Sequence, residues 1–261
     1  TSVLNAPETV INVGRLGDYL DGGADNDTFF IGDGSGEFDI VIGGPGEDSV
    51  VYSAMQQGLS VFMPSGRNYA DFLPTSMRVD VDFAGRVKSK PGDPGAGIIR
   101  EVEHLNGTNY DDHFWGTDDA NKIDGRDGDD QIRGLGGDDT LIGGRGDDTL
   151  VWNNGDGSDI VDGGQGYDTQ VVNFDTDLIN DDLQNNDVAT FAVTDAGVQF
   201  ARTVVNGQSE KGLFEIDIRN TEVLETNFGG GDDIAELFGN IINEIRLDLD
   251  GGDGVDTLDL S

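Results

Sequence analysis

The 261-residue chain has no cysteine. That excludes disulfide staples and thiolate metal sites. Basic residues are scarce: 15 Lys and Arg stand against 52 Asp and Glu, a formal net charge of −37. Such a surface repels phosphate backbones and anionic headgroups, so nucleic acid is not expected as a partner. No apolar run approaches the ~20 residues of a spanning helix, and membrane insertion is not expected either. There are two histidines, His104 and His113, and neither sits in an H-E-x-x-H zinc motif. No G-x-S-x-G nucleophile elbow is present. Hydrophobic residues make up only 35% of the chain. High charge with so little apolar material is the composition of a disordered segment, whose burial cannot offset chain entropy. Cations are the partner that this charge calls for.

What the chain has instead is glycine, 41 residues of it, set in a repeat. The stretch GLGGDDTLIGGRGDDTLV, residues 134–151, states one nine-residue phrase twice. The unit carries Gly at positions 1 and 4, Asp at position 6 and an apolar residue at position 8. Five units run without a gap: 107–115, 116–124, 125–133, 134–142 and 143–151. Position 8 reads Phe114, Ile123, Ile132, Leu141 and Leu150. Position 6 reads Asp112, Asn121, Asp130, Asp139 and Asp148. After Trp152 and Asn153, units 154–162 and 163–171 add Asp159 and Asp168. Gln170 takes the apolar position of the last one, which predicts the end of this array. An earlier array at 13–21, 22–30, 34–42 and 43–51 supplies Asp18, Asp27, Asp39 and Asp48. A weaker late array, 228–236 and 251–259, supplies Asp233 and Asp256.

These units, GGRGDDTLV (143–151), GLGGDDTLI (134–142) and GGPGEDSVV (43–51) above all, resemble the repeats-in-toxin (RTX) nonapeptide G-G-x-G-x-D-x-U-x, where U is a large apolar residue. The resemblance implies an all-β fold, a parallel β-roll or β-solenoid that binds several Ca²⁺ ions. It also implies a bacterial origin and export through a one-step (type I) secretion apparatus, which needs an unfolded substrate.

The residues themselves support that fold. Gly and Asp suit a tight turn, and the last three positions suit a short strand. Two units then make one coil of 18 residues, and coils stack as parallel strands roughly 4.8 Å apart. Position 8 faces inward and finds its partner only through stacking. Position-6 residues 18 apart fall above one another, giving the pairs 112/130, 121/139, 130/148, 139/159 and 148/168. The first array adds 18/39 and 27/48, each stretched by a three-residue insertion. Stacked carboxylates repel unless a cation lies between them. Calcium takes about six to eight oxygens at roughly 2.3–2.6 Å and tolerates irregular geometry, whereas magnesium demands a tighter octahedron. Residues 107–171 hold 16 Asp, no Glu and four basic residues, a net of −12, which five divalent ions would largely offset. Ion binding and folding are therefore expected to be one event. Asn121 is a neutral and weaker ligand. The pair Asp233/Asp256 departs from the pattern, because its members are 23 residues apart and Phe228 replaces the first glycine. An EF-hand does not fit, since its Glu at loop position 12 and its flanking helices are missing.

Five segments follow. Residues 1–51 carry the N-terminal repeats, 52–106 a β-rich insertion and 107–171 the main array. Residues 172–227 form a second β-rich insertion with a hairpin, and 228–261 the weak C-terminal repeats, all of which can belong to one continuous solenoid. Met77–Phe83 alternates with period two, as a half-buried strand does. Ala189–Val204 reads as a hairpin turning at Asp195-Ala-Gly197, and Leu213–Ile218 alternates again. Arg78, Arg86, Lys88 and Lys90 cluster in the first insertion. They neutralise acidic neighbours of the same chain or meet a neighbouring module or an extracellular glycan.

No catalytic residue is expected. Asp93-Pro94 lies in PGDPG, a loop composition that needs no self-cleavage chemistry. The chain begins without Met or a signal-peptide pattern and is expected to be part of something longer. The functional expectation is a calcium-binding module that folds outside the cell, a structural or interaction segment of a larger exported protein. The alternatives are an adhesin or lectin-like segment using the insertions, or the non-catalytic appendage of a secreted enzyme.

Overall fold

A computed structural model describes residues 2–3, 10–13, 19–31, 40–52, 60–62, 80–81, 87–88, 98–100, 102–174, 187–195, 197–204, 214–241 and 245–260. The Gly/Asp segments form turns and the apolar steps form strands, and the chain alternates between two faces of a β-solenoid. One face is a continuous sheet of 12 strands, running from Val10–Val13 to Thr257–Asp259. The opposite face is split into a four-stranded and a seven-stranded sheet.

Register follows the repeat. Ile123 pairs with Leu141, and Ile132 with Leu150, as an 18-residue coil requires. Beyond the inserted Trp152 and Asn153 the offset grows by two, so Leu141 pairs with Val161 and Leu150 with Gln170. The position-8 residues Phe29, Val50, Leu105, Phe114, Ile123, Ile132, Leu141, Leu150 and Val161 are all essentially inaccessible. They form a thin file of side chains between the faces.

One expectation needs correction. Strands were expected to span three residues, yet Lys122–Asp127, Thr140–Arg145 and Ile160–Gln165 span six. Each strand takes in positions 1–3 of the next unit, because positions 2 and 3 pair again beyond the first glycine, Arg126 with Gly144 and Asp127 with Arg145. Stacking of coils itself runs on past Gln170. Its strand Thr169–Asn173 pairs in parallel with Val223–Asn227, which pairs in turn with Arg246–Asp250. Main-chain pairing carries the coil onward, and the buried Gln170 amide donates to the Val171 carbonyl at 3.0 Å.

The hairpin is present. Asp187–Val193 and Val198–Val204 run antiparallel, and Thr194 N–H donates to the Gly197 carbonyl at 2.7 Å across the turn. Phe214–Arg219 lies antiparallel to the second hairpin strand and parallel to Ile160–Gln165. The hairpin is thus spliced into the 12-stranded face, between Phe214–Arg219 and Ile234–Phe238. Its inward residues Phe191 and Phe200 join Trp152, Phe174 and Phe228 in an aromatic cluster, with ring centroids 4.8–6.4 Å apart. Arg202 lies over the Phe174 ring at 4.9 Å and hydrogen-bonds Asn154. Of Met77–Phe83 only Asp80–Val81 is described, paired antiparallel with Val87–Lys88. Asp93-Pro94, Arg78, Arg86 and Lys90 lie outside the described residues.

Removing one link of the inner file should loosen the whole stack. Leu141→Ala, at a site 1% exposed, is expected to cost about 2–5 kcal/mol. It should lower the urea midpoint of the calcium-saturated protein, while Ile160→Ala, at an outward site 40% exposed, should leave it nearly unchanged.

Candidate metal centre

The position-6 residues build two columns, one along each edge of the coil. On one edge Asp112 N–H donates to Asp130 Oδ1 at 2.7 Å, Asp130 N–H to Asp148 Oδ1 at 2.8 Å and Asp148 N–H to Asp168 Oδ1 at 2.9 Å. On the other, Asn121 N–H donates to Asp139 Oδ1 at 2.7 Å and Asp139 N–H to Asp159 Oδ1 at 2.9 Å. In the first array Asp27 N–H donates to Asp48 Oδ1 at 2.7 Å across 21 residues. The irregular pair joins in the same way, with Asp233 N–H donating to Asp256 Oδ1 at 3.1 Å. The structure therefore brings together every expected pair it describes. Asp18 and Asp39 lie outside the described residues, although the adjacent Tyr19 and Ile40 pair in register.

These carboxylates are deeply buried. Asp27, Asp48, Asp112, Asp130, Asp139, Asp148, Asp159, Asp168 and Asp233 are each no more than 2% exposed. One oxygen of each pairwise contact is spent on the main chain. The second oxygen, Oδ2, of Asp130, Asp139, Asp148 and Asp168 is buried without a hydrogen-bond donor. The first glycine of the unit explains what faces it. A Cβ built on Gly125 would lie 2.2 Å from Asp130 Oδ2 and 2.7 Å from the Gly143 carbonyl oxygen. At Gly143 the same atoms are Asp148 Oδ2 at 2.4 Å and the Gly163 oxygen at 2.5 Å. Carboxylate and carbonyl oxygens thus face each other across the space that a side chain would occupy. Burying oxygens of like partial charge together is costly unless something positive joins them.

The donor set fits a hard divalent cation. Among the described residues no three His, Cys, Asp or Glu side chains converge on one point. A cation held here draws its remaining oxygens from main-chain carbonyls of the turns, as calcium accepts. Turn geometry is suited to this. Positions 2 and 4 are left-handed in each of the five turns from Gly125 to Asp168, at Arg126 and Gly128 first and at Gly164 and Gly166 last.

Without a cation, protonation is the other way to relieve the edges. Burial pushes Asp130 and Asp139 up to about 8, Asp159 to about 7 and Asp148 to about 6. For Asp139 the Asp159 carboxylate adds to the rise. For Asp130 the N–H of Asp112 opposes it, and the Asp112 and Asp148 carboxylates add to it. Asp168 is raised as well, by burial first.

Several functional residues escaped the motif. Position 5 forms a second, outer ladder of opposite polarity: Asp129 N–H donates to Asp111 Oδ1 at 3.0 Å and Asp147 N–H to Asp129 Oδ1 at 2.9 Å. Asp138 receives Ser158 N–H and Asp232 receives Val255 N–H likewise. The recurrent Asp-Asp doublet was its signal. Glu103 and Glu222 occupy position 6 where no Asp stands, accepting from Asp48 N–H at 2.7 Å and Asp168 N–H at 2.8 Å. An apolar residue two places on, Leu105 and Leu224, could have revealed both. Asp112 and Asn121 differ from the rest: Thr108 N–H donates to Asp112 Oδ2 at 2.7 Å and Thr117 N–H to Asn121 Oδ1 at 2.6 Å. His113 Nδ1 lies 3.2 Å from Gln131 Oε1 on the outer surface, away from both columns.

Comparison with known proteins agrees with this geometry. The model of the RTX calcium-binding nonapeptide repeat matches four copies, at residues 17–37, 102–132, 115–150 and 155–170. The search of curated proteins gives no match. Among the described residues no helix is long and apolar enough to cross a membrane.

Two outcomes check the site. Folded-state carboxyls raised above the ordinary 3.8 hold protons that the unfolded chain releases, so their stabilising effect is complete below about pH 4 and is lost as pH rises through 6–8. Calcium-free protein should therefore show more β-structure by circular dichroism at pH 5 than at pH 8, and an unchanged spectrum would count against the buried columns. Gly143→Ala should raise the calcium concentration needed for folding, whereas Arg145→Ala, on a side chain 68% exposed, should not.

Proposed function

We propose that this chain, which carries RTX calcium-binding nonapeptide repeats and is a calcium-binding structural module, folds only when calcium reaches it outside the cell. The observation that carries this reading is the row of buried Oδ2 atoms on Asp130, Asp139, Asp148 and Asp168, each without a donor. A chain of net charge −37 holds itself open at low calcium. Extracellular calcium modules are tuned to roughly 10⁻⁴–10⁻³ M, the range met on leaving a cell. The open form suits passage through a one-step exporter of a bacterium, and the folded form stiffens and presents the neighbouring parts of a larger exported protein.

The module does its work by binding and shape, and we assign it no catalysis. The hairpin of the second insertion supports a structural part: its inward side chains complete the core. The calcium count exceeds one in this reading, because the columns repeat the same arrangement on both edges.

Far-UV circular dichroism during a calcium titration tests the proposal, with magnesium as the control. Calcium is expected to produce a cooperative change from disorder to β-structure that magnesium does not reproduce at equal concentration. The double change Asp130→Ala and Asp139→Ala should move the midpoint to higher calcium. A fully folded, chelator-treated protein at pH 8 would defeat the reading.

A further inference from the structure

The two turns that open the main array are built differently from the five that follow. In Gly107–Asp112 the Thr108 hydroxyl lies 3.1 Å from both Asp112 carboxylate oxygens and 3.2 Å from the Tyr110 carbonyl, and it accepts Tyr110 N–H at 3.1 Å. In Gly116–Asn121 the Thr117 hydroxyl lies 3.2 Å from Asn121 Oδ1 and 3.1 Å from the Asp119 carbonyl, and it accepts Asp119 N–H at 3.0 Å. Each hydroxyl thus bridges the position-6 side chain and the position-4 carbonyl. These are the two kinds of oxygen that a cation would have to gather. The main-chain N–H of the same threonine closes the bridge at 2.7 Å and 2.6 Å.

The backbone agrees. None of Thr108, Tyr110, Thr117 and Asp119 has a positive φ, whereas positions 2 and 4 are left-handed in each turn from Gly125 to Asp168. In four of those five left-handed turns position 6 carries a buried oxygen with no donor, on Asp130, Asp139, Asp148 and Asp168. Where they do not, the side chain at position 6 is satisfied within its own turn. The second threonine turn also carries the neutral Asn121, which needs no counter-charge.

We infer that the main array divides at Gly125: the turns 107–112 and 116–121 are closed by their threonines and take no ion, and calcium loading begins with the turn 125–130. This rests on the calcium reading above and narrows it, removing Asp112 and Asn121 from the ligands. The threonine turns then form a pre-built platform. Lys122–Asp127 and Gln131–Leu135 pair directly onto its strands His104–Asn106 and His113–Thr117, so ion-dependent coils have a template to stack on.

Native mass spectrometry counts the ions, and the calcium midpoint by circular dichroism gives a second readout. Asp112→Asn copies the Thr–Asn pairing that the next turn already uses. It is expected to keep the wild-type ion count and midpoint. Asp148→Asn should lose at least one ion and raise the midpoint by at least about tenfold. Asn121→Asp alone should gain no ion, while Thr117→Gly with Asn121→Asp should gain one. Ion loss in Asp112→Asn equal to that in Asp148→Asn would overturn the division, as would a gained ion in Asn121→Asp alone or none in the double variant. A wild-type chain that binds no calcium at all would instead sink the calcium reading itself.

Discussion

Like charges stacked inside a protein are the constraint on which this structure turns. An isolated buried carboxylate is expensive, and a column of them is more so. The chain nevertheless places Asp130, Asp148 and Asp168 one above another, and Asp139 above Asp159, at no more than 2% exposure. Each gives one oxygen to a main-chain N–H of the coil before it. The other oxygen of Asp130, Asp148 and Asp168 is left facing a carbonyl of the coil after it. Protons or cations must complete that arrangement, and neither is available to the chain for free near neutral pH. Folding is therefore tied to solution composition more tightly than in a protein whose core closes by apolar burial alone.

The glycines divide into two duties. Those at positions 2 and 4 supply left-handed backbone, and Arg126 and Leu135 show that a side chain is admitted there at a conformational cost. The one at position 1 is a matter of space: a Cβ on Gly134 would come within 2.0 Å of Asp139 Oδ2. The repeat is thus a compact statement of two requirements, a bent backbone and an oxygen-lined gap with no room for a methyl group.

Much of this was legible in the residues. Phase at position 8 gave the inner file from Phe29 to Val161, and spacing at position 6 gave the column partners, including the pair across Trp152 and Asn153. The hairpin at 187–204 was visible from its alternation and its Asp-Ala-Gly turn. What stayed hidden depended on contacts that the motif does not encode. Gln170 marked the end of the repeats, but its polarity says nothing of the main-chain pairing on either side of it that carries the coil on. Glu103 and Glu222 escaped because their extra methylene broke the Asp pattern while their carboxylates reached the same N–H groups. The part played by Thr108 and Thr117 is set by turn geometry, which one residue letter cannot convey.

The spliced hairpin makes the two faces unequal in length. Between Phe214–Arg219 and Ile234–Phe238 one face holds two strands that the other, where Arg246–Asp250 follows Val223–Asn227 directly, does not. Two strand spacings amount to roughly 10 Å, about the distance between packed sheets. The 12-stranded face is thus longer by two strands than the seven-stranded face over the same stretch of chain. Phe191 and Phe200 of that extra pair bed on Trp152, Phe174 and Phe228, an apolar packing to which no carboxylate contributes.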